Sequence, residues 1–339
     1  MGSAKQLRGR RTVESGTAAF CLLLSTNLCG ALRPHPQESL QAYLDSFMSN
    51  ERGVVIVLDP KTGEIRAAWR LQAGIHDAYP PGSTAKIVES AAALEEGLLS
   101  PSEDIFCRGV PALLGSSYRC VHDPAADAFN LSSALANSCN YFFVALSLRL
   151  SPEALAHWYS VFGFGSAVEV DAKSTSAGRV SVPLDARGKA LAAIGEQNVL
   201  ATPAQVLLAY ALIATGGEAF GLWSRSSSGD SSTPLRRIRF KRSTIDTLTG
   251  GLVECVQSGT CQAAAVPGIR VAGKTGTATA LDGSGATHAW FVGFAPAGDP
   301  EVALVVFLER GTGAHSAAPL AGEILRHYFA AKGREKTPR

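Results

Sequence analysis

The sequence predicts one α+β domain whose antiparallel sheet is flanked by helices. Three observations carry that reading. Apolar, β-branched runs stand near both ends of the chain, and segments with helix start and stop signals fill the middle. The 339 residues are 46% hydrophobic and 18% charged, the composition of a packed core rather than of a disordered chain. In chain order, residues 53–59 (GVVIVLD) read as a buried strand, Pro60 to Glu64 as a turn and Ile65 to Arg70 as the returning strand. Pro80, Pro81 and Gly82 break the chain before a helix over Thr84 to Glu96, which stops at Gly97. A second helix is expected near Leu131 to Leu150. A third runs over Ala204 to Ala214, with Thr202 as cap, Pro203 in the first turn and Gly216-Gly217 as its stop. Residues 225–234 (RSSSGDSSTP) read as a Ser-rich loop. The chain closes with strands over 269–278, 289–294 and 301–309 and a helix over 318–331. Strands from the two ends of the chain are thus expected to share one sheet.

Charge narrows the function classes. Lys and Arg number 31 against 29 Asp and Glu, a net charge of +2, which leaves no basic footprint for nucleic acid. At the N-terminus, Lys5, Arg8, Arg10 and Arg11 precede an apolar run from Thr17 to Leu32. That pattern reads as a secretory signal or membrane anchor over residues 1–31, with Cys29 and Ala31 at the small positions of a cleavage site. It puts the protein in the periplasm or otherwise outside the cytoplasm, released or held at the inner membrane. Of seven cysteines, Cys107 with Cys120 and Cys255 with Cys261 are spaced for disulfides in an oxidising compartment. Cys139 reads as an inert buried side chain. No Cys-x-x-Cys occurs and the histidines are not at metal spacing, so neither a metal site nor a cofactor is expected.

Three short motifs carry chemistry. Ser83-Thr84-Ala85-Lys86 is S-x-x-K at a helix start, where the i, i+3 spacing lets the hydroxyl and the amine share a proton. The helix N-terminus favours negative charge on an attacking oxygen, and burial of the lysine lowers its pKa toward that of a usable base. Ser138-Cys139-Asn140 is S-x-N on the second helix, and Lys274-Thr275-Gly276-Thr277 is K-T-G-T in a late strand, where Gly276 admits a ligand backbone. A further K-T-G at Lys61 lies in a hairpin turn, ahead of S-x-x-K, and turn chemistry accounts for it. Each motif alone is weak. Their order, S-x-x-K then S-x-N then K-T-G-T, is the signature of penicillin-binding proteins and serine β-lactamases.

The chain resembles the transpeptidase domain of penicillin-binding proteins over about residues 40–332. The likeness extends through VVIVLDPKTGEIRA (54–67), YPPGSTAK (79–86), ALANSCNYFF (134–143), FGFG (162–165), ATPAQVLLAYALIATGG (201–217), VAGKTGTA (271–278), HAWFVGFAP (288–296) and Ala317-Ala318-Pro319. It is nearest to class B, elongation-type enzymes. The resemblance implies the penicillin-binding, serine β-lactamase-like fold, with an all-helical subdomain beside the sheet. It implies that Ser83 is acylated by a D-alanyl-D-alanine stem peptide of peptidoglycan, with Lys86 as its base and the N–H groups of Ser83 and Thr277 as oxyanion donors. Ser138 and Lys274 would pass a proton to the departing D-alanine, Asn140 would orient the acyl amide, and Lys274, Thr275 and Thr277 would hold the terminal carboxylate beside Gly276. An amine of a second stem peptide then resolves the ester as a crosslink. The expected partners are those stem peptides, β-lactam antibiotics that mimic them, and other cell-wall proteins.

Departures from the family pattern fall at Gly195-Glu196-Gln197, where Gly-Gln-Gly or Gly-Glu-Gly is usual, and at Val121-His122-Asp123-Pro124, where Gly-His-Gly is common. Residues 32–39 are expected as a linker, 40–332 as the domain and 333–339 as a disordered tail, with no pedestal or glycosyltransferase module ahead of the domain. Two other activities share this fold. A D,D-carboxypeptidase replaces the amine by water, and a class D-like β-lactamase turns the drug over. Against the second, the S-x-Val and Tyr-Gly-Asn segments of class D are absent.

Overall fold

The computed structural model describes residues 36–122, 128–171, 173–224 and 233–335. The expected signal segment and most of the Ser-rich loop lie outside the described residues. No helix among the described residues is long and apolar enough to cross a membrane.

A six-stranded sheet organises the described chain. Its strands are β1 (Gly53–Leu58), β2 (Glu64–Trp69), β3 (Trp223–Ser224), β4 (Ala272–Thr279), β5 (Thr287–Ala295) and β6 (Val302–Leu308). They stand in the order β3-β2-β1-β6-β5-β4. β1 and β6 meet antiparallel, from Gly53 opposite Leu308 to Leu58 opposite Ala303, which joins the early hairpin to the late meander as expected. The sheet is mixed rather than wholly antiparallel, because β3 adds to β2 in parallel. Two residues of Trp-Ser carry no strand period to read. The indole N–H of Trp223 is anchored on the Thr62 carbonyl at 3.0 Å.

The central strands are apolar without alternation because both faces are covered. Val54, Ile56 and Leu58 of β1, with Ala303, Val305 and Phe307 of β6, enter one core. Val55 and Val57, with Leu304 and Val306, enter the other. The smaller core is closed by α1 (Pro36–Phe47) and α9 (Ala318–Glu335) through Leu40, Leu44, Ile324 and Leu325. The larger core takes α2 (Lys86–Glu95), α3 (Leu131–Ala136), α4 (Asn140–Ser147), α5 (Pro152–Val161), α6 (Ala186–Ala193), α7 (Pro203–Ala214) and α8 (Arg242–Gln257).

Two expectations are corrected, and one helix is added. The helix expected over Leu131 to Leu150 is two helices, because Ser138 sits at φ 55° between α3 and α4. Apolar residues continue on both sides of that break, so periodicity alone does not register it. α8 was not anticipated, since Gly250-Gly251 near its middle reads as a breaker. A Cβ on Gly251 would stand 3.1 Å from Leu135 and from the backbone of Ser132, so the glycine is what lets α8 lie against α3. Cys255 and Cys261 are disulfide-bonded as expected, but Cys107 and Cys120 are free thiols with sulfurs 3.7 Å apart. Cys139 lies against Cys120 at the same 3.7 Å, so three sulfurs share one place and no single pair is favoured.

Candidate active site

The turn that carries Ser83 is held by its neighbours from several sides. Gly82–Ala85 is one turn of 3₁₀-helix that runs straight into α2. Lys86 follows as its C-cap and donates its backbone N–H to the Ser83 carbonyl, the i→i+3 bond that keeps the two residues on neighbouring turns. Trp290 donates to the Pro80 carbonyl at 3.0 Å, Tyr210 donates to the Thr84 carbonyl at 2.9 Å, and Thr84 closes on Pro81 at 2.8 Å. Gly82 has φ +54°, and a Cβ there would meet the Thr277 carbonyl at 2.8 Å. The turn is therefore pressed against the edge strand β4, and Gly276 leaves room for Pro81 and Thr84 from the other side. Gly195 closes the third side: its carbonyl accepts from Gly82 N–H at 2.9 Å, and a Cβ on it would reach the Gly82 carbonyl at 2.2 Å.

Lys86 is completely buried and joins two motifs. Its amine donates to the Ser138 carbonyl at 2.9 Å, to Ser138 Oγ at 3.3 Å and to Asn140 Oδ1 at 2.7 Å. Asn140 is held in turn by donating to the Tyr118 carbonyl at 3.1 Å. Burial pulls the Lys86 pKa down to about 8. Lys274 is also completely buried, donates to the Thr275 carbonyl at 3.0 Å, and has its ammonium strongly disfavoured, first by burial and then by Lys86. S-x-x-K, S-x-N and the lysine of K-T-G-T are thus brought together.

The two threonines of K-T-G-T are placed differently. Thr275 is buried, with Oγ1 2.6 Å from the Thr260 hydroxyl. Thr277 is exposed, and its hydroxyl accepts from Gly313 N–H at 3.0 Å. Three residues near the site went unread in the sequence. Thr260 follows the end of α8. Glu196 is buried, sits 3.4 Å from Thr279 N–H, and has its carboxyl pushed up to about 7 by burial. Glu89, one turn beyond Lys86, is completely buried with both carboxyl oxygens unbonded, and burial raises its pKa well above the ordinary range. Only Glu196 left a trace in sequence, as the departure at Gly195-Glu196-Gln197, where Gln197 occupies φ 47° in place of a glycine.

A base must be neutral before it takes a proton, so the Lys86 pKa sets a pH dependence. Acylation by a fluorescent penicillin should rise about tenfold per pH unit from about pH 6 and level off above the Lys86 value of about 8. Labelling rates measured across that range check it, and a flat profile would remove Lys86 as the base.

Solved structures with the same architecture place the fold first. The D,D-transpeptidase domain of a peptidoglycan glycosyltransferase from Eggerthella lenta superposes with TM-score 0.74 at 23% identity, over 88% of this chain and 82% of that one. PBPA from Mycobacterium tuberculosis superposes with TM-score 0.72 at 26% identity, over 88% of this chain and 79% of that one. The fold is that of penicillin-binding transpeptidase domains. The penicillin binding protein transpeptidase domain family matches residues 53–326, and the chain belongs to it. Among curated relatives, it is 27% identical to the peptidoglycan D,D-transpeptidase MrdA of Acinetobacter baumannii, over 88% of this chain and 53% of that protein. It is 28% identical to the peptidoglycan D,D-transpeptidase PbpA of Mycolicibacterium smegmatis, over 94% and 75%, and 29% identical to the stage V sporulation protein D of Bacillus subtilis, over 80% and 48%. The chain thus spans about half the length of two of these three relatives.

Proposed function

We propose that this chain is a serine D,D-transpeptidase that crosslinks peptidoglycan stem peptides outside the cytoplasm through an acyl-enzyme on Ser83. The observation that carries the reading is the buried Lys86 amine, three residues after Ser83 and bonded to both Ser138 and Asn140. In this mechanism Ser83 Oγ attacks the carbonyl of the penultimate D-alanine while its proton passes to neutral Lys86. The N–H groups of Ser83 and Thr277 receive the oxyanion. The proton then travels from Lys86 to Ser138 Oγ, 3.3 Å away, and on to the nitrogen of the departing D-alanine. Lys274, whose ammonium is disfavoured by burial, assists that transfer and, with Thr275 and Thr277, holds the terminal carboxylate. Asn140 orients the acyl amide, and the amine of a second stem peptide resolves the ester. The names of the curated relatives support the peptidoglycan substrate. Export by residues 1–31, a domain over residues 40–332 and contacts with other cell-wall proteins belong to the same proposal.

β-Lactams should stop the cycle at the ester. M. tuberculosis penicillin-binding protein A, 27% identical and superposed with TM-score 0.70, has been solved as a ceftriaxone acyl-enzyme. The Glu196 carboxylate, the buried acid near the site, accepts from Thr279 N–H at 3.4 Å, which supports slow hydrolysis of the ester. Mass spectrometry after penicillin treatment should show an adduct on the Ser83 peptide that persists for minutes or longer. Multiple turnovers of nitrocefin per second, lost in Ser83→Ala, would make the protein a β-lactamase instead. Release of D-alanine without crosslinked product, when an acceptor amine is present, would make it a carboxypeptidase.

A further inference from the structure

The three thiols that do not pair, together with one histidine, form a group unused by the reaction above. Cys107, Cys120, His122 and Cys139 bring their donor atoms within 4.8 Å of one another, the three cysteines buried and His122 partly so. They come from separate places: Cys107 follows a short strand at Ile105–Phe106, Cys120 and His122 lie two residues apart in the next loop, and Cys139 caps α4. A zinc ion at about 2.3 Å from sulfur and about 2.0–2.1 Å from nitrogen, with tetrahedral angles, sets sulfur–sulfur edges near 3.8 Å and sulfur–nitrogen edges near 3.5 Å. The observed edges are 3.7 Å for Cys107 to Cys120, 3.7 Å for Cys120 to Cys139, and 4.0 Å for Cys107 Sγ to His122 Nε2.

A second observation points the same way. Each sulfur is the acceptor of a backbone N–H: Gly109 N–H to Cys107 at 3.3 Å, Tyr141 N–H to Cys120 at 3.4 Å, and Phe142 N–H to Cys139 at 3.4 Å. Amide donors aimed at sulfur stabilise thiolates, and three buried thiolates side by side need a cation among them. Three thiolates and one imidazole are a soft, closed donor set that suits zinc in a structural role.

We infer that Cys107, Cys120, His122 and Cys139 hold one zinc ion, and that the ion sets the position of Ser138 and Asn140 through Cys139, which lies between them. It departs from the expectation, drawn from residue spacing, that no metal site exists. The donors are not in Cys-x-x-Cys pairs; the only sequence cue was Cys120-Val121-His122. Binding releases the three thiol protons to solvent and involves no redox change. The coupling is short. The Ser138 carbonyl and Asn140 Oδ1, on either side of Cys139, are both acceptors for Lys86. Movement of Cys139 would therefore shift both ends of that bridge.

The test is metal analysis of the full chain, purified without chelator and, in parallel, reconstituted with zinc chloride under reducing conditions. About one zinc per chain is expected, released by a mercurial that titrates thiols. Cobalt substitution should give thiolate-to-metal charge-transfer absorption and the intense visible bands of a tetrahedral ion. Less than about a tenth of a zinc per chain after reconstitution, or a Cys107–Cys120 disulfide by peptide mapping, overturns the site. These readouts use the unaltered protein and do not depend on a variant folding. For the positioning role, which rests on the acylation reading, His122→Ala should lower the rate of penicillin acylation about 10- to 100-fold, and His122→Cys with zinc should restore it. A full complement of zinc whose loss leaves acylation unchanged would overturn the positioning role alone. Failure of the unaltered protein to acylate would instead count against the transpeptidase reading and leave the metal result standing.

Discussion

Replacing Ser83 by alanine should abolish covalent labelling by a fluorescent penicillin, a loss of more than about 1,000-fold. The expectation rests on position as much as on residue type. Ser83 is held in a turn braced by Trp290, Tyr210 and Gly195, three residues before the buried Lys86. The hydroxyl makes no hydrogen bond among the described residues, so its loss costs no internal partner, and the thermal midpoint should stay within a few degrees of the parent. Labelling of the variant at the parent rate would move the nucleophile elsewhere. Loss of labelling together with the thermal transition would leave a damaged fold as the cause, and Ser83→Cys then separates the two, since it preserves shape and supplies a different nucleophile.

Replacing Lys86 by methionine should lower the acylation rate by about 10²–10⁴-fold, the usual share of a positioned base. Methionine is the informative choice because it fills a completely buried site without introducing a cavity. Ser138 and Asn140 lose their shared donor, so some loss of order at the S-x-N break accompanies the loss of the base. The pH profile distinguishes these contributions. If Lys86 is the base, the residual activity of the variant no longer rises toward pH 8; if the lysine only holds Asn140 in place, the rise survives at reduced amplitude. Stopped-flow labelling across that range reads both.

Much of the domain was legible because its signals are local. The apolar runs of β1, β5 and β6, the Thr202-Pro203 start of α7 and the double glycine at its end each state their own structure, and the capping box of Thr202 with Gln205 is formed. The catalytic motifs were legible through their order along the chain. What escaped depends on contacts between distant segments. The break at Ser138 is imposed by packing, since the flanking residues are helical in character. α8 tolerates two glycines only because α3 needs the space of one. The cluster of Cys107, Cys120, His122 and Cys139 joins three separate segments, and a pairwise reading of cysteines resolved part of it as a disulfide. Glu89 and Glu196 look like ordinary surface acids until the fold buries them.

The meeting of β1 with β6 has a consequence for how the protein comes to exist. Val55 pairs with Val306 and Leu58 with Ala303, so the hairpin of β1 and β2 keeps its β1 edge unpaired until nearly the whole domain has been made. Such a hairpin is marginal in water, and a pairing of this sequence separation is slow to close. The nucleophile turn lies between the two halves, pressed on β4 and tied to β5 through Trp290, so it is not braced before the late strands arrive. Activity therefore appears only at the end of folding, all at once. A chain that stalls before residue 302 exposes the apolar strand β1 with no partner, which is a substrate for proteases and chaperones rather than a weakened enzyme.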